Sequence, residues 1–94
     1  MSMRFTWDRN KAERNRQKHS IAFEEAATVF RDPTAVLFDD DLHSENEYRE
    51  LIIGHSDRQR VLIVSFVERD DTIHIISARK ADSDERDNYG KVHR

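Results

Sequence analysis

The 94-residue chain has no cysteine, two glycines and one proline. Without cysteine it has neither a disulfide framework nor a zinc–thiolate site, which excludes a stapled secreted mini-protein. Two isolated glycines exclude the phosphate-binding and dinucleotide-binding loops, which need several glycines at fixed spacing. No apolar run exceeds four residues, whereas a membrane-spanning helix needs about 20, and the N-terminus lacks the apolar segment of a signal peptide. We therefore expect one soluble, cytoplasmic domain over residues 1–94.

Charged residues are abundant but unevenly spread. Sixteen Lys and Arg against 19 Asp and Glu give a net charge of −3, and the pI of 5.9 does not indicate a uniformly basic nucleic-acid binder. Residues 1–31 nevertheless carry seven basic and four acidic residues, whereas residues 32–50 carry one basic and seven acidic residues. A local basic surface is still compatible with phosphate binding, which depends on the patch and not on the total.

The N-terminal third predicts a short strand and two helices. Arg4–Trp7 alternates polar and apolar residues, as a strand does, and Asp8 is placed to cap a polar helix over Arg9–Lys18. A second helix over Ala22–Arg31 has apolar residues at positions i, i+3, i+4 and i+7, which should face the core. These residues are Phe23, Ala26, Ala27 and Phe30.

From residue 34 onward the pattern changes to strands. We predict them over Thr34–Phe38, Glu47–Gly54, Arg60–Glu68 and Thr72–Arg79. The short polar connections favour an antiparallel meander, with the apolar segment Val61–Val67 as its central strand. Asp82 and Glu85 have the spacing of a capping box that begins a last helix. The predicted fold is α+β, with two N-terminal helices and a C-terminal helix packed on an antiparallel β-sheet in two layers.

A cation next to a titratable group recurs along the chain. It occurs in Lys18–His19 at the end of the first helix, in Glu47-x-Arg49 on one face of a predicted strand, and near Arg79–Lys80 at the last strand end. Spacing alone also allows ordinary explanations, such as a surface ion pair or a favourable cationic helix C-terminus. The five histidines show no ligand spacing, so we expect no metal and no cofactor.

Several motifs together resemble the BrnT-type toxins. In the N-terminal half they are Phe5-x-Trp7-Asp8-x-x-Lys11, Asn15-x-x-Lys18-His19, Phe23-Glu24-Glu25-Ala26 and Phe30-x-Asp32-Pro33. In the C-terminal half they are Glu47-x-Arg49, Ile53-Gly54-x-Ser56 and Ile75-Ile76-Ser77-Ala78-Arg79-Lys80-Ala81, with Glu85 and Tyr89. Two positions depart from the pattern: Ser20 stands where we expect glycine after Lys-His, and Ala22 replaces a side chain that would cap the second helix.

The resemblance implies a RelE-like fold and a ribonuclease toxin of a type II toxin–antitoxin pair, which cleaves RNA and stops translation. The implied partners are an RNA substrate, either free or on the ribosome, and a BrnA-like ribbon-helix-helix antitoxin. The resemblance implies that the complex binds operator DNA only through the antitoxin. No membrane is involved. The implied catalytic residues are Lys18, His19, Glu47, Arg49 and Arg79, with Lys11, Lys80 and Tyr89 as substrate-binding residues.

RNA cleavage without a metal uses the 2′-hydroxyl as nucleophile and needs a base, an acid and cations around the phosphate. Glu47 or His19 is the candidate base, and His19 is alternatively the acid because histidine titrates near neutral pH. Arg79, Arg49 and Lys18 are the candidates to hold the phosphate. Tyr89 is a candidate to stack on a base or to donate a proton.

A non-catalytic binding module that helps a DNA-binding partner to repress is the alternative function. The acidic run Asp39–Glu50 would then dock a basic segment of the partner. A direct nucleic-acid binder without chemistry is a third hypothesis, against which the negative net charge counts.

The apolar stripe of the second predicted helix can be tested by mutation. If that stripe is buried on the sheet, Phe30→Ala should lower the free energy of unfolding by about 3–5 kcal/mol, measured by chemical denaturation. A loss below about 0.5 kcal/mol, the usual range of surface substitutions, would show that the stripe faces solvent or a partner.

Overall fold

The computed structural model describes residues 3–41 and 47–92. In these ranges the chain forms five strands, three α-helices and one 3-10 turn. They are β1 (Arg4–Thr6), α1 (Arg9–His19), α2 (Phe23–Thr28) continued by the 3-10 turn Val29–Arg31, β2 (Val36–Asp39), β3 (Glu50–His55), β4 (Val61–Arg69), β5 (Thr72–Lys80) and α3 (Ser83–Val92).

The five strands form one sheet in the order β1-β5-β4-β3-β2. Strands β2 to β5 pair antiparallel, as predicted, but β1 pairs parallel with β5, from Arg4↔Thr72 to Thr6↔His74. The sheet is therefore mixed, and the prediction of a wholly antiparallel sheet is wrong for its first strand. The short turns of the meander impose antiparallel pairing, whereas most of the chain separates β1 from β5 and leaves the direction of β1 to tertiary packing.

Strand β4 occupies the centre of the meander, between β3 and β5, as its apolar sequence predicted. Leu62, Val64 and Phe66 belong to the larger core, beneath α2 and the residues around it. Ile63 points to the opposite face and packs with Tyr89 of α3. Helices thus cover the sheet on both faces, with α3 as a partial third layer in place of the two layers predicted.

The boundaries of α1 follow from local chemistry. The Asp8 carboxylate accepts a hydrogen bond from the Asn10 N–H at 3.0 Å, the predicted N-cap. The helix ends at Ser20, which takes the left-handed conformation with φ 59° and donates its N–H to the Arg16 carbonyl. A serine therefore adopts the backbone conformation that glycine favours. Ala22 begins α2 with no side-chain cap.

The predicted apolar stripe of α2 faces the sheet. Phe23 and Ala26 are fully buried, while Ala27 and Phe30 are partly buried against the same core. The Phe30 ring lies between those of Phe5 and Phe66, with centroid separations of 5.3 and 4.9 Å. The helix is shorter than predicted, because its last turn tightens into the 3-10 turn before Pro33.

The C-terminal helix begins at the predicted capping box. The Asp82 N–H donates to the Glu85 carboxylate and the Glu85 N–H donates to the Asp82 carboxylate, both at 2.8 Å. Two first-turn amides are thereby satisfied reciprocally. No helix within residues 3–41 or 47–92 has the length and apolarity needed to cross a membrane.

The two glycines have opposite environments and predict opposite effects. A methyl group at Gly54 would lie 2.9 Å from both Ala35 Cβ and Asp32 Oδ2, whereas one at Gly90 meets nothing within 4 Å. Gly54→Ala should lower the free energy of unfolding by about 1–3 kcal/mol through overpacking. Gly90→Ala should raise it, by at most about 1 kcal/mol, because alanine favours the helix. Denaturant titration measures both, and equal effects of the two substitutions would contradict the packing at Gly54.

Candidate active site

An open cleft of about 390 Å³ lies on the part of the sheet face that α3 leaves uncovered. Its floor is one row of paired residues across four strands: Phe38 pairs with Leu51, Leu51 with Ser65, and Ser65 with Ser77. Polar side chains from separate elements border this row, namely His19, Asp40, Arg49, Arg79 and Glu85. The cleft therefore combines an apolar and hydroxylic floor with one imidazole, two guanidinium and two carboxylate groups.

Asn15 positions the end of α1 beside this cleft. Its side chain is buried, with an exposed fraction of 7%. The amide NH₂ donates to the carbonyls of Ile21 and Ala78, both at 2.9 Å, and the amide oxygen accepts from the Ala78 N–H at 3.0 Å. These hydrogen bonds fix helix α1 to β5 at Ala78, the residue before Arg79. His19, four residues after Asn15, reaches the cleft from the helix side.

Arg79 is held by a bidentate ion pair with Glu85. Its two terminal nitrogens donate to the two carboxylate oxygens, both at 2.8 Å. The hydrogen bonds from Arg79 are the main cause that lowers the pKa of Glu85 from 4.5 to about 2, with a further contribution from the Asp82 N–H. The same pair raises the pKa of Arg79. Since 45% of the Arg79 side chain is exposed, the guanidinium is oriented yet still accessible.

Glu47 and Arg49 do not share a strand face, and that prediction is wrong. Strand β3 begins at Glu50, where pairing with β2 and β4 starts, so both residues precede the strand and its alternation does not apply to them. Arg49 lines the cleft. The Glu47 carboxylate instead pairs with Arg69 at the end of β4 and is not part of the cleft lining.

The other predicted site residues lie outside this cleft. Lys11, Lys18 and Lys80 are exposed on α1 and at the end of β5. Tyr89 is buried, and its hydroxyl donates to the Asp32 carboxylate at 2.9 Å and contacts Thr34 Oγ1 at 2.7 Å. Desolvation is the main cause that raises the pKa of Tyr89. Of the eight predicted residues, the cleft brings together His19, Arg49 and Arg79.

Nine of the twelve residues that line the cleft were not among the predicted site residues; they include Phe38, Asp40, Leu51, Ser65 and Ser77. A weak signal existed for two of them, because Ser65 lies within the apolar segment Val61–Val67 and Ser77 directly follows Ile75 and Ile76. Their meeting depends on strand register, which is shifted at Ser65/Phe66.

Over the described ranges, no group of three or more His, Asp or Glu side chains is arranged to hold a metal ion.

Comparison with known proteins gives a family and a fold. A family profile described as the ribonuclease toxin, BrnT, of a type II toxin–antitoxin system matches residues 7–85. The crystal structure of the Brucella abortus ribonuclease toxin BrnT superposes with a TM-score of 0.66 at 22% sequence identity, covering 87% of this chain and 100% of that one. No curated protein matched the chain significantly in a sequence search.

The Arg79–Glu85 pair predicts a pH dependence of stability that Glu85→Gln should remove. Because the pKa of Glu85 is depressed to about 2 in the folded chain, its ionisation stabilises the fold above about pH 4.5, and this contribution is lost as the pH falls towards 2. The difference in unfolding free energy between the parent and Glu85→Gln should therefore be largest above pH 5 and shrink at lower pH. Urea denaturation at several pH values measures it. A difference that stays constant between pH 6 and pH 2 would contradict the ion pair.

Proposed function

The chain belongs to the BrnT family of ribonuclease toxins of type II toxin–antitoxin systems, and on this premise we propose that it cleaves RNA in the cleft between His19, Arg49 and Arg79. The observation that supports this assignment is the convergence of these three side chains from α1, the segment before β3, and β5. An imidazole and two guanidinium groups in one cleft supply proton transfer and charge stabilisation for a phosphodiester.

The proposed reaction is an internal transfer at phosphorus. The 2′-hydroxyl loses its proton and attacks the adjacent phosphorus, the bond to the 5′-oxygen breaks, and that oxygen is protonated as it leaves. The products are a 2′,3′-cyclic phosphate and a 5′-hydroxyl. Arg49 and Arg79 stabilise the charge that builds on the non-bridging oxygens, which planar guanidinium groups contact through two parallel hydrogen bonds. The Glu85 carboxylate keeps Arg79 oriented for this contact.

We assign one of the two proton transfers to His19. Of the two candidates for the base, His19 lines the cleft, whereas Glu47 is paired with Arg69 away from it. Histidine is suited to either transfer because it titrates near neutral pH. The exposed Lys18 and Lys80, beside His19 and Arg79 in sequence, and Lys11 two turns earlier on α1, then attract the RNA backbone from outside the cleft.

The finer parts of the proposal follow from the family. We propose that the reaction needs no metal ion, that loss of RNA stops translation in the cytoplasm, and that the fold is of the RelE type. We further propose that a BrnA-like ribbon-helix-helix antitoxin neutralises the chain and carries the complex to operator DNA. Residues 42–46, in the acidic run suggested as a docking surface, lie outside the described residues.

Arg79→Ala should lower the rate of RNA cleavage about 10²–10³-fold, the usual loss when one donor to a transition-state oxyanion is removed. The assay follows purified chain on total RNA and on translating ribosomes, with and without excess EDTA. Arg4→Ala is the matched control, because Arg4 is an exposed arginine on edge strand β1, opposite Thr72 at the other end of β5 from Arg79 and outside the cleft lining. The parent and the control should cleave equally well in EDTA.

Two outcomes would contradict this function. Equal cleavage by Arg79→Ala and the parent would exclude this cleft as the site, and loss of all activity in EDTA would exclude the metal-free mechanism.

Comparing His19→Ala with Glu47→Ala identifies the proton-transfer residue, because only the His19 variant should lose cleavage. A parent that cleaves no RNA but still binds a repressor would favour the non-catalytic binding module.

A further inference from the structure

A second cavity opens beside the cleft, between the sheet and α3. It has a volume of about 290 Å³, and we call it the side slot. Its walls are mostly apolar, formed by Val36, Phe38, Ile53, Ile63 and Tyr89, with the polar side chains of Glu85 and Asn88 on the α3 side. The side slot and the cleft share Phe38, Ile63 and Glu85, so the two cavities are contiguous.

Phe38 lies between the two cavities on the edge strand β2, and 42% of its surface is exposed. The other large apolar side chains that are exposed among the described residues, Met3, Leu37 and Tyr48, line neither cavity. An aromatic ring left open beside two guanidinium groups is the usual arrangement for binding single-stranded nucleic acid. Such sites combine cations for the backbone with aromatic faces for the bases.

The volume of the side slot limits its occupant. Binding pockets for small organic ligands span roughly 300–1,000 Å³, so the slot is at the lower end and suits a single ring system. Its apolar walls exclude a phosphate, which the adjoining cations of the cleft attract instead. Asn88 adds an amide that can both donate and accept hydrogen bonds, the pattern carried by the edge of a nucleobase.

We propose that the side slot receives one nucleobase of single-stranded RNA, stacked on Phe38 and contacted at its edge by Asn88, next to the phosphate held in the cleft. This inference rests on the proposed function and specifies its substrate class. A base in a duplex is stacked on both faces and cannot enter the slot, so the substrate is an unpaired segment.

The test measures binding of single-stranded 2′-O-methyl RNA oligonucleotides, which cannot be cleaved because the nucleophilic hydroxyl is blocked. One base at a time is removed to leave an abasic residue, and affinity is measured by fluorescence anisotropy. In the parent, one abasic position should weaken binding about tenfold, the scale of one base–aromatic stack. Phe38→Leu keeps an apolar side chain of similar size but removes the aromatic ring. This variant should bind the intact oligonucleotide about tenfold more weakly than the parent does. Removing the base at the sensitive position should then cause no further loss of affinity.

Leu37→Ala is the matched control for Phe38→Leu. Leu37 is exposed on the same strand, but strand alternation turns it to the opposite face, paired with Ile52. This control should bind every oligonucleotide as the parent does. Asn88→Ala should reduce discrimination among the four bases at the sensitive position, whereas Asp87→Ala, one residue earlier on α3 and outside both cavities, should leave it unchanged.

The inference is wrong if no abasic position weakens binding to the parent, if the parent does not bind the oligonucleotides, or if Phe38→Leu and the parent lose affinity equally at the sensitive position. Failure of the proposed function is detected separately, with unmodified RNA. A parent that cleaves unmodified RNA without a Phe38-dependent base position contradicts only the side slot. A parent that binds with such a position but cleaves nothing contradicts only the ribonuclease.

Discussion

The hydrogen bonds of the Asn15 side chain join α1 to the sheet, and the geometry of the cleft depends on them. Strand β1 covers the outer edge of β5 only as far as His74, so the N–H and carbonyl of Ala78 would lack a backbone partner there. Asn15 bonds to both groups, as a neighbouring strand would. Each buried polar group left without a partner costs about 1–3 kcal/mol. The hydrogen bonds between Asn15 and the backbone of Ala78 therefore also hold His19 next to β5, the strand that carries Arg79.

A second polar cluster fixes the other side of the cleft. The Asp32 carboxylate accepts hydrogen bonds from the His55 N–H at 2.7 Å, the Thr34 N–H at 2.9 Å and the Tyr89 hydroxyl at 2.9 Å. Burial opposes ionisation of this carboxylate, but these donors outweigh it and lower the pKa of Asp32. Tyr89 thereby anchors α3 one turn beyond Glu85. Because Glu85 on α3 orients Arg79, the orientation of Arg79 depends on the position of α3. Gly54 contributes to that position, because its missing side chain leaves room for the Asp32 carboxylate.

The charge of the chain is arranged locally. A net charge of −3 gives no general attraction for RNA, yet Arg49 and Arg79 both line one cleft. Arg79 is itself paired with Glu85, and further arginines form ion pairs elsewhere in the structure. Arg60 holds the buried carboxylate of Glu25 through Nε at 2.9 Å and through a terminal nitrogen, and its hydrogen bond is the main cause that lowers the pKa of Glu25. The number of cations is therefore less informative than the elements that position them.

Local sequence predicts the features that depend on neighbours within one turn or one strand. The Asp8 cap, the Asp82–Glu85 capping box, the buried stripe of α2 and the central position of Val61–Val67 are readable from periodicity and side-chain chemistry. Motif resemblance added eight candidate site residues, of which His19, Arg49 and Arg79 line the cleft. Other features became known only from the folded chain: the parallel pairing of β1, the start of β3 after Arg49, the burial of Tyr89 and the row of paired residues from Phe38 to Ser77. Each of these depends on strand register or on contacts between segments far apart in the chain, which a local pattern does not encode.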